Sequence, residues 1–340
     1  ELIATEAINI IKNKDQNRPL FLYVAFNAPH TPIEAPIELI NEFTDIENEK
    51  DRVYAANVSA LDTEIGRIIK AIEQEGILEE TIILFFSDNG PVFDIDPITQ
   101  VIAPNLINAK GSTAGLRGSK TSTFEGGIRV PAVIWWKGVI ENAKSDQFFF
   151  VQDILPTVLR ASNGNVAETI KFDGKDKWLN LLENKIVPPK NAFIGARLIA
   201  DERALFNGKW KLRWSKPQLI PVSASYSLFD ILEDPYEKND LSEEHPQVVD
   251  AMKKTLTSFI ERDVVGDMNP AHAYLHGDDR QGGVALGSPW LDGDYELNEP
   301  PNAISSFFIT IWIVIQAFKY YLIALTLLFF ALIYTFRKLK

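Results

Sequence analysis

Continuous apolar runs and one long amphipathic stretch alternate along the first part of the chain. Residues 20–26 and 81–86 are unbroken apolar runs of the kind that form strands buried on both faces. Residues 130–136 form a third run and predict another strand. Residues 52–76 predict a helix that Gly76 ends, because apolar side chains recur every three or four positions: Val58, Leu61, Ile65, Ile68, Ile69 and Ile72. Strand, helix and strand in this order are typical of an α/β fold with a parallel sheet.

The pattern changes in the second half of the chain. Residues 148–161 predict a short strand and a helix that contains Pro156. Between 192 and 230, short strands alternate with turns, which predicts a small antiparallel sheet, and residues 245–260 predict a helix that packs on it. A stretch rich in Gly, Asp, Asn and Pro follows and is typical of a tether. We therefore divide the chain into a partial α/β domain, an α+β subdomain, a linker and a membrane segment: 1–190, 191–262, 263–302 and 303–336.

The last of these regions predicts a transmembrane helix. Residues 303–336 are almost wholly apolar, with Lys319 as the one charge among them, and a helix of this length exceeds the apolar thickness of a bilayer, about 30 Å. The basic cluster at 337–340 places that end in the cytoplasm and the rest of the chain on the periplasmic, extracellular or lumenal side. One tilted helix, an interfacial segment at 304–318 or a buried C-terminal helix all fit this pattern.

Composition and charge exclude several classes of protein. A hydrophobic fraction of 46% and a charged fraction of 24% predict a globular chain with a sizeable core. A formal net charge of -12 argues against a general nucleic-acid binder, because such proteins need a basic face. The absence of cysteine excludes disulfides, thiolate metal sites and a cysteine nucleophile within these residues. The predicted first helix is already under way at Glu1, so we expect the sequence to be the C-terminal part of a longer gene product.

Two candidate sites follow predicted strands. Asp88 and Asn89 lie directly after the strand at 81–86, and carboxylate and amide oxygens are ligands that Ca²⁺ or Mg²⁺ prefers. The same Asp-Asn-Gly sequence is also common in simple turns. His30 lies between two prolines beyond the strand at 20–26, where it can donate a hydrogen bond to an anion or protonate a leaving group. A loop histidine that binds a carbonyl fits the same position.

The third candidate is the glycine-rich basic stretch at 116–131. Its three glycines allow close backbone approach, and Arg117, Lys120 and Arg129 supply positive charge that suits a tetrahedral oxyanion. A surface loop with solvated charges is the plain alternative. The stretch lacks the GxxxxGK[ST] order of a phosphate-binding P-loop.

Taken in order, these motifs resemble the sulfatase family, in the arylsulfatase branch of the alkaline-phosphatase-like superfamily. The resemblance covers residues 1–262. The matching stretches are Pro-Leu-Phe-Leu-Tyr at 19–23, Ala-Pro-His-Thr-Pro at 28–32, Ala-Leu-Asp-Thr-Glu-Ile-Gly at 60–66, Ser-Asp-Asn-Gly at 87–90, Leu-Arg-Gly-Ser-Lys at 116–120, Glu-Gly-Gly-Ile-Arg-Val-Pro at 125–131, Asp-Ile-Leu-Pro-Thr at 153–157 and Leu-Phe-Asp-Ile-Leu-Glu-Asp-Pro-Tyr-Glu-Lys-Asn-Asp-Leu at 228–241. It implies a mixed sheet flanked by helices, followed by the small antiparallel sheet and its helix.

The resemblance also implies an activity and a site. The family hydrolyses sulfate esters, of aryl or carbohydrate alcohols, with one bound Ca²⁺. Asp88 and Asn89 match its calcium ligands, and His30 and Lys120 match residues that contact the sulfate group. Four further motif residues are expected to have structural roles: Asp62, Arg117, Glu125 and Arg129.

One departure from the family is serious. Its nucleophile is a formylglycine made from a Cys/Ser-x-Pro-x-Arg motif, and these 340 residues contain no such motif and lack the paired aspartates that complete the calcium site. We expect both in an N-terminal part of the gene product, so this chain alone is expected to be inactive. The alternatives are a catalytically inactive, membrane-anchored binding protein and a phosphoesterase of the same superfamily.

Overall fold

A computed structural model describes the chain over residues 1–30, 33–92, 111–164, 170–197, 200–217 and 223–262. The expected linker at 263–302 and the expected membrane segment at 303–336 lie outside these ranges, so both stay predictions. Within the ranges that are described, no helix is both long enough and apolar enough to cross a membrane.

Helices dominate the N-terminal part. Helix α1 (Leu2–Lys12) packs on the long helix α3 (Glu49–Gln74), as does the short helix α2 (Ile37–Ile40). The predicted helix at 52–76 is therefore confirmed, although it begins one turn earlier. The side chain of Asn48 explains the earlier start, because its Oδ1 accepts hydrogen bonds from the N–H groups of Lys50 and Asp51 and caps the helix. Gly76, with φ of +71°, ends it as predicted.

Two of the predicted strands form a two-stranded sheet. Strand β1 (Ile83–Phe86) pairs with β2 (Ala132–Trp135) in antiparallel register, with Ile83 opposite Trp135. The strand–helix–strand order predicts a parallel sheet, whereas the ladder between these two strands is antiparallel. The connection between them contains helix α4 (Glu125–Ile128). Phe85 and Val133 stay 42% and 58% exposed, so the sheet is not covered on both faces as expected.

The predicted strand at 20–26 is also wrong. The segment is extended, but it joins no ladder among the residues that the structure describes. Alternate side chains are half-buried, whereas Phe21 and Tyr23 are 74% and 73% exposed. The alternation of burial shows one covered face, which leaves the apolar residues of the other face exposed.

Residues 148–161 contain the expected helix but not the expected strand. Helix α5 (Ile154–Ala161) follows a 3₁₀ turn (Val151–Asp153), and Pro156 lies in its first turn, where a missing N–H costs nothing. Phe148 and Phe150 precede this turn without forming a ladder. The side chain of Gln147 takes the place of a strand neighbour, because its amide oxygen accepts from the Val187 N–H and its amide nitrogen donates to the Val187 carbonyl.

The predicted antiparallel sheet is confirmed. After helix α6 (Trp178–Leu182), four strands pair in chain order, β3–β4–β5–β6. Their bounds are β3 (Lys190–Arg197), β4 (Ala200–Asn207), β5 (Trp210–Pro217) and β6 (Ser225–Asp230). Helix α7 (Pro246–Arg262) confirms the helix expected at 245–260.

The two faces of this sheet cover different partners. One face packs on α7 through a core of fully or nearly fully buried side chains: Leu205, Leu212, Leu228, Met252 and Leu256. The other face packs on Phe124, Ile128, Phe148 and Phe150 through Ala204, Phe206, Phe229 and Ile231. The second contact is the one that matters for the site, because Phe124 and Ile128 belong to the glycine-rich stretch at 116–131.

Candidate functional site

The turn that follows β1 carries the two candidate metal ligands. Asp88 is exposed and Asn89 is half-buried. The Asp88 Oδ1 atom accepts a hydrogen bond from the Asn89 N–H at 2.9 Å, and the Asn89 Nδ2 atom donates to the Gly90 carbonyl at 3.0 Å. The Ser87 hydroxyl donates to the Asn89 carbonyl at 3.0 Å. These short-range bonds give the turn a defined conformation at the end of the strand.

The same turn is bonded to the glycine-rich stretch. The Gly90 N–H donates to the Gly127 carbonyl at 2.8 Å, and the Lys120 N–H donates to the Pro91 carbonyl at 2.9 Å. A Cβ atom at Gly90 would lie 1.9 Å from the Gly126 carbonyl oxygen, so only glycine permits this approach. The structure therefore brings the backbone of Lys120 to the Asp88–Asn89 turn. We refer to residues 117–125 as the Lys120 loop and to this contact as the turn–loop junction.

A single residue of the antiparallel part holds both ends of the Lys120 loop. The Glu237 carbonyl accepts a hydrogen bond from the Arg117 Nη1 atom at 2.9 Å, and its Oε2 atom accepts from the Glu125 N–H at 2.6 Å. Glu237 has a φ of +55°, a left-handed conformation that is unusual for a residue with a side chain. In that conformation its main chain and its carboxylate contact the two ends of the loop together.

A buried charge cluster lies beneath this contact. Lys211 of β5 is fully buried, and its Nζ atom lies 2.8 Å from the Glu125 Oε1 atom and 2.8 Å from the Glu237 Oε1 atom. The contact with Glu125 is a hydrogen bond, whereas the contact with Glu237 is an ion pair without hydrogen-bond geometry. One ammonium thus pairs with two carboxylates, which offsets part of the cost of burying all three groups.

A second buried pair holds the middle of the loop. Arg213 of β5 pairs with Glu202 of β4, and the Glu202 Oε2 atom accepts from the Thr123 N–H at 2.8 Å. The hydroxyls of Ser122 and Thr123 also donate to that oxygen, each at 3.2 Å. The Arg213 guanidinium lies 3.8 Å from the centre of the Phe124 ring. The sheet therefore binds the loop through charged side chains as well as through its apolar face.

Burial raises the pKa of the Glu237 carboxyl above its ordinary value of 4.5. The attraction of Lys211 and the hydrogen bond from the Glu125 N–H lower that pKa, and repulsion by the Glu125 carboxylate raises it. Burial is the largest of these influences, so the net direction is upward.

His30 lies in a turn of its own. Its N–H donates to the Asn27 carbonyl at 2.8 Å, and the Ala28–Pro29 peptide bond is cis. Thr31 and Pro32, which complete the predicted motif, lie outside the described residues. The placement of the His30 ring beside the turn–loop junction stays a prediction.

The chemistry of the donor set at the turn fits part of a calcium site. Asp88 supplies a solvent-accessible carboxylate, and because Asn89 donates through its amide nitrogen, its amide oxygen retains lone pairs for a cation. Calcium takes about six to eight oxygen ligands, so these two residues supply a minority of them. In the part of the chain that the structure describes, no group of three His, Asp or Glu side chains is arranged to hold a metal.

The four residues expected to have structural roles divide into two pairs. Arg117 and Glu125 bind Glu237, and the Arg117 guanidinium also stacks 4.1 Å from the centre of the Phe124 ring. Asp62, on α3, and Arg129 are exposed. The contacts of Arg117 and Glu125 with Glu237 explain the structural role expected for these two residues.

Sequence reasoning missed the residues that hold the loop. Glu237 lies inside the motif at 228–241, whose pattern indicates no role for it. Lys211 and Arg213 alternate with apolar residues along β5, a pattern that predicts a solvent-facing position. Their face is covered instead by the Lys120 loop. The sequence does contain acidic residues that can pair with them, Glu125 and Glu202. Nothing in the local pattern indicates that these two residues contact β5.

Comparison with known proteins identifies relatives over most of the described part. The Sulfatase family model matches residues 1–164. Arylsulfatase J of Mus musculus is 29% identical over 74% of this chain and 46% of its own length. The N-acetylgalactosamine-6-O-sulfatase of Bacteroides thetaiotaomicron is 27% identical over 74% of this chain and 49% of its own length. The crystal structure of Ps i-CgsB in complex with k-i-k-neocarrahexaose superposes with a TM-score of 0.61 at 27% identity, covering 76% of this chain and 54% of that chain.

The fold defines the class of the protein, an α/β chain of the alkaline-phosphatase-like fold. Residues 1–164 match the family model of the sulfatases, and the relatives named above are sulfatases. It spans about half the length of the relatives that it matches.

The raised pKa of Glu237 predicts a pH-dependent component of stability. Because the folded chain binds this proton more tightly than the unfolded chain, the contribution is fully present below pH 4.5 and is lost as the pH rises through the folded pKa. We expect the unfolding free energy of Glu237→Gln, minus that of the unsubstituted chain, to increase with pH above 4.5 by at most about 1.4 kcal/mol per pH unit. Urea unfolding between pH 4 and pH 8 measures this difference.

The matched control is Glu233→Gln, which changes an exposed glutamate of the same segment. Its difference from the unsubstituted chain should not vary with pH over the same range. A difference for Glu237→Gln that falls with rising pH would show that Lys211, and not burial, dominates this carboxyl.

Proposed function

We propose that the gene product containing this chain is a sulfatase that hydrolyses a sulfate ester. In this proposal Lys120 and His30 contact the sulfate group, and Asp88 and Asn89 supply two oxygen ligands to a calcium ion. The observation that carries the proposal is the turn–loop junction, where the Lys120 N–H is bonded to the Pro91 carbonyl, two residues beyond Asn89.

The chemistry of these side chains suits the reaction. Hydrolysis of a sulfate ester places negative charge on the transferring group and on the leaving oxygen. The Lys120 ammonium offsets charge on the sulfate oxygens, and the His30 imidazole donates a hydrogen bond or a proton to the substrate. Bound calcium supplies electrostatic stabilisation of the sulfate oxygens. The nucleophile, expected to be a formylglycine, has no precursor motif among these 340 residues, so the chain alone is proposed to be inactive.

A sulfated carbohydrate is the proposed class of substrate, with an aryl sulfate as the simplest probe. Support comes from relatives whose names refer to amino-sugar sulfates and from the solved complex with neocarrahexaose. Each of these relatives aligns with the chain over less than two-thirds of its own length, so the substrate of this protein is inferred from likeness alone.

Lys120 provides the direct test of the activity. In the natural gene product we expect Lys120→Ala to lower kcat/KM for an aryl sulfate about 100-fold or more, because one charge contact in a preorganised site stabilises the transition state by about 3–4 kcal/mol. Steady-state kinetics measure the change, and the melting temperature should stay within a few degrees of the original.

The control is Lys144→Ala, which removes an exposed lysine away from the junction and should leave turnover unchanged. Full activity of Lys120→Ala would exclude Lys120 from the site. If the unsubstituted gene product hydrolyses neither aryl nor carbohydrate sulfates, the proposal fails and a sulfatase-like binding protein is the better description.

Calcium binding is tested separately by Asp88→Ala. We expect about one calcium ion per chain in the purified gene product and a loss of most of it in the variant, because the turn would retain only one of its two oxygen ligands. Atomic emission spectroscopy of dialysed protein measures the content, with exposed Asp45→Ala as the control. Equal calcium in Asp88→Ala and the control would rule out the turn as a ligand.

We further propose that residues 303–336 anchor the protein in a membrane, with the body on the extracytoplasmic side. Deletion of residues 303–340 should move the protein from the membrane pellet to the supernatant while sulfate-ester turnover continues. Fractionation with an alkaline wash distinguishes an integral anchor from surface adsorption. A truncated protein that still resists the wash would show that another region binds lipid.

A further inference from the structure

The Lys120 loop has little internal support: the Ser122 N–H donates to the Ser119 carbonyl at 3.1 Å, and the Gly126 N–H, just beyond the loop, donates to the Arg117 carbonyl at 2.7 Å. No helix or strand is assigned within residues 117–124, and Gly118 and Thr121 have φ values of +79° and +75°. For Thr121, a β-branched residue, such a backbone conformation is unfavourable and persists only when the surroundings impose it. The loop therefore depends on contacts from outside, and the question is which of them fixes Lys120.

Glu237 is the residue that closes the loop. It lies 120 residues from Arg117 and 112 residues from Glu125 in the sequence, and it hydrogen-bonds to both. Together with the Gly126–Arg117 backbone bond, these two bonds fix the distance between the ends of the loop. The bond from the Lys120 N–H to the Pro91 carbonyl and the bonds from Ser122 and Thr123 to Glu202 fix its middle. These attachments determine where the Lys120 backbone lies relative to the Asp88–Asn89 turn, and Glu237 is the residue that contacts both ends of the loop.

We propose that Glu237 is a positioning residue for Lys120, which acts by holding the two ends of the Lys120 loop so that the turn–loop junction stays closed. Its consequence for catalysis rests on the proposed function, whereas its consequence for the loop rests on the contacts alone. A displacement of about 1 Å in a group that contacts the reacting atoms can cost about 100-fold in rate, so a residue without substrate contact can still control turnover.

The left-handed backbone of Glu237 supports this role. A non-glycine residue at φ of +55° is unfavourable unless its contacts compensate, and here the carbonyl and the carboxylate both bind the loop. Lys211 holds the carboxylate from the opposite side through an ion pair. The charged cluster thus fixes the side chain, and the side chain fixes the loop.

Two substitutions of Glu237 distinguish the effect of its hydrogen-bond acceptor from the effect of its negative charge. Glu237→Gln keeps an oxygen that accepts from the Glu125 N–H and leaves Lys211 paired with Glu125. Glu237→Ala removes that acceptor. In the gene product we expect Glu237→Ala to lower kcat/KM for a sulfate ester between about tenfold and 100-fold, and Glu237→Gln to stay within about threefold of the original. Exposed Glu233→Ala is the control and should be unchanged.

Amide hydrogen exchange, followed by mass spectrometry of peptides, tests the positioning without relying on activity. Glu237→Ala should accelerate exchange of the peptide covering 117–125 at least tenfold and leave strands β3–β6 unchanged, whereas Glu237→Gln should exchange like the original. Arg117→Ala, which frees the other end of the loop, should accelerate the same peptide. If Glu237→Ala does not fold, Arg117→Ala tests the positioning role instead, because the Arg117 side chain is exposed.

The outcomes separate this proposal from the proposed function. Unchanged exchange of 117–125 in both alanine variants overturns the positioning role, and so does acceleration spread equally over the sheet, which would indicate a general loss of stability. If the unsubstituted gene product hydrolyses no sulfate ester, the proposed function fails, and the exchange of 117–125 alone confirms or overturns the positioning role.

Discussion

Burial of the Lys211 ammonium between the Glu125 and Glu237 carboxylates is the interaction on which the rest of the site depends. Lys211 comes from the antiparallel sheet, Glu125 from the glycine-rich stretch and Glu237 from the segment after β6. An unpaired charge at any of these positions would be costly, so the three elements must meet for the fold to be stable. The cluster therefore makes the antiparallel sheet a part of the candidate site, although the sheet carries none of the predicted contact residues.

The arrangement separates the residues that support the loop from the residues proposed to contact the substrate or the metal. Asp88, Asn89 and Lys120 lie on short turns and loops that have little regular structure of their own. Their backbone is held by hydrogen bonds to carbonyls and by buried carboxylates that face away from solvent. Such a division suits the proposed anion site, because the half-buried Lys120 side chain belongs to the loop while the buried carboxylates that hold the loop are paired with Lys211 and Arg213.

The extent to which the sequence predicts this molecule varies with the kind of interaction. Helix α3 and the four C-terminal strands follow from local periodicity, and the structure confirms them. The segment at 20–26 fails because an apolar run specifies extended backbone but not the neighbour that would make it a strand. The antiparallel pairing of β1 with β2 was missed because pairing depends on a connection whose shape residue types do not specify.

The candidate site divides in the same way. Asp88, Asn89, His30 and Lys120 are marked by short motifs with recognisable chemistry. Lys211 carries no such mark, because a lysine that alternates with apolar residues normally faces solvent, and its burial arises from a loop that is distant in sequence. Long-range charge pairing is a property of the folded chain that local pattern does not contain.

The separation of Arg117 and Glu237 by 120 residues has a consequence for biosynthesis. A ribosome delivers the chain from its N-terminus, so the Lys120 loop emerges well before the carboxylate that closes it. During that interval the nascent chain contains Arg117 and Lys120 but not Glu237, which holds the ends of the loop. The contacts that hold the Lys120 loop are consequently completed only after Glu237 has emerged, and a chain that ends before Glu237 would carry the recognisable motifs of the loop without these contacts.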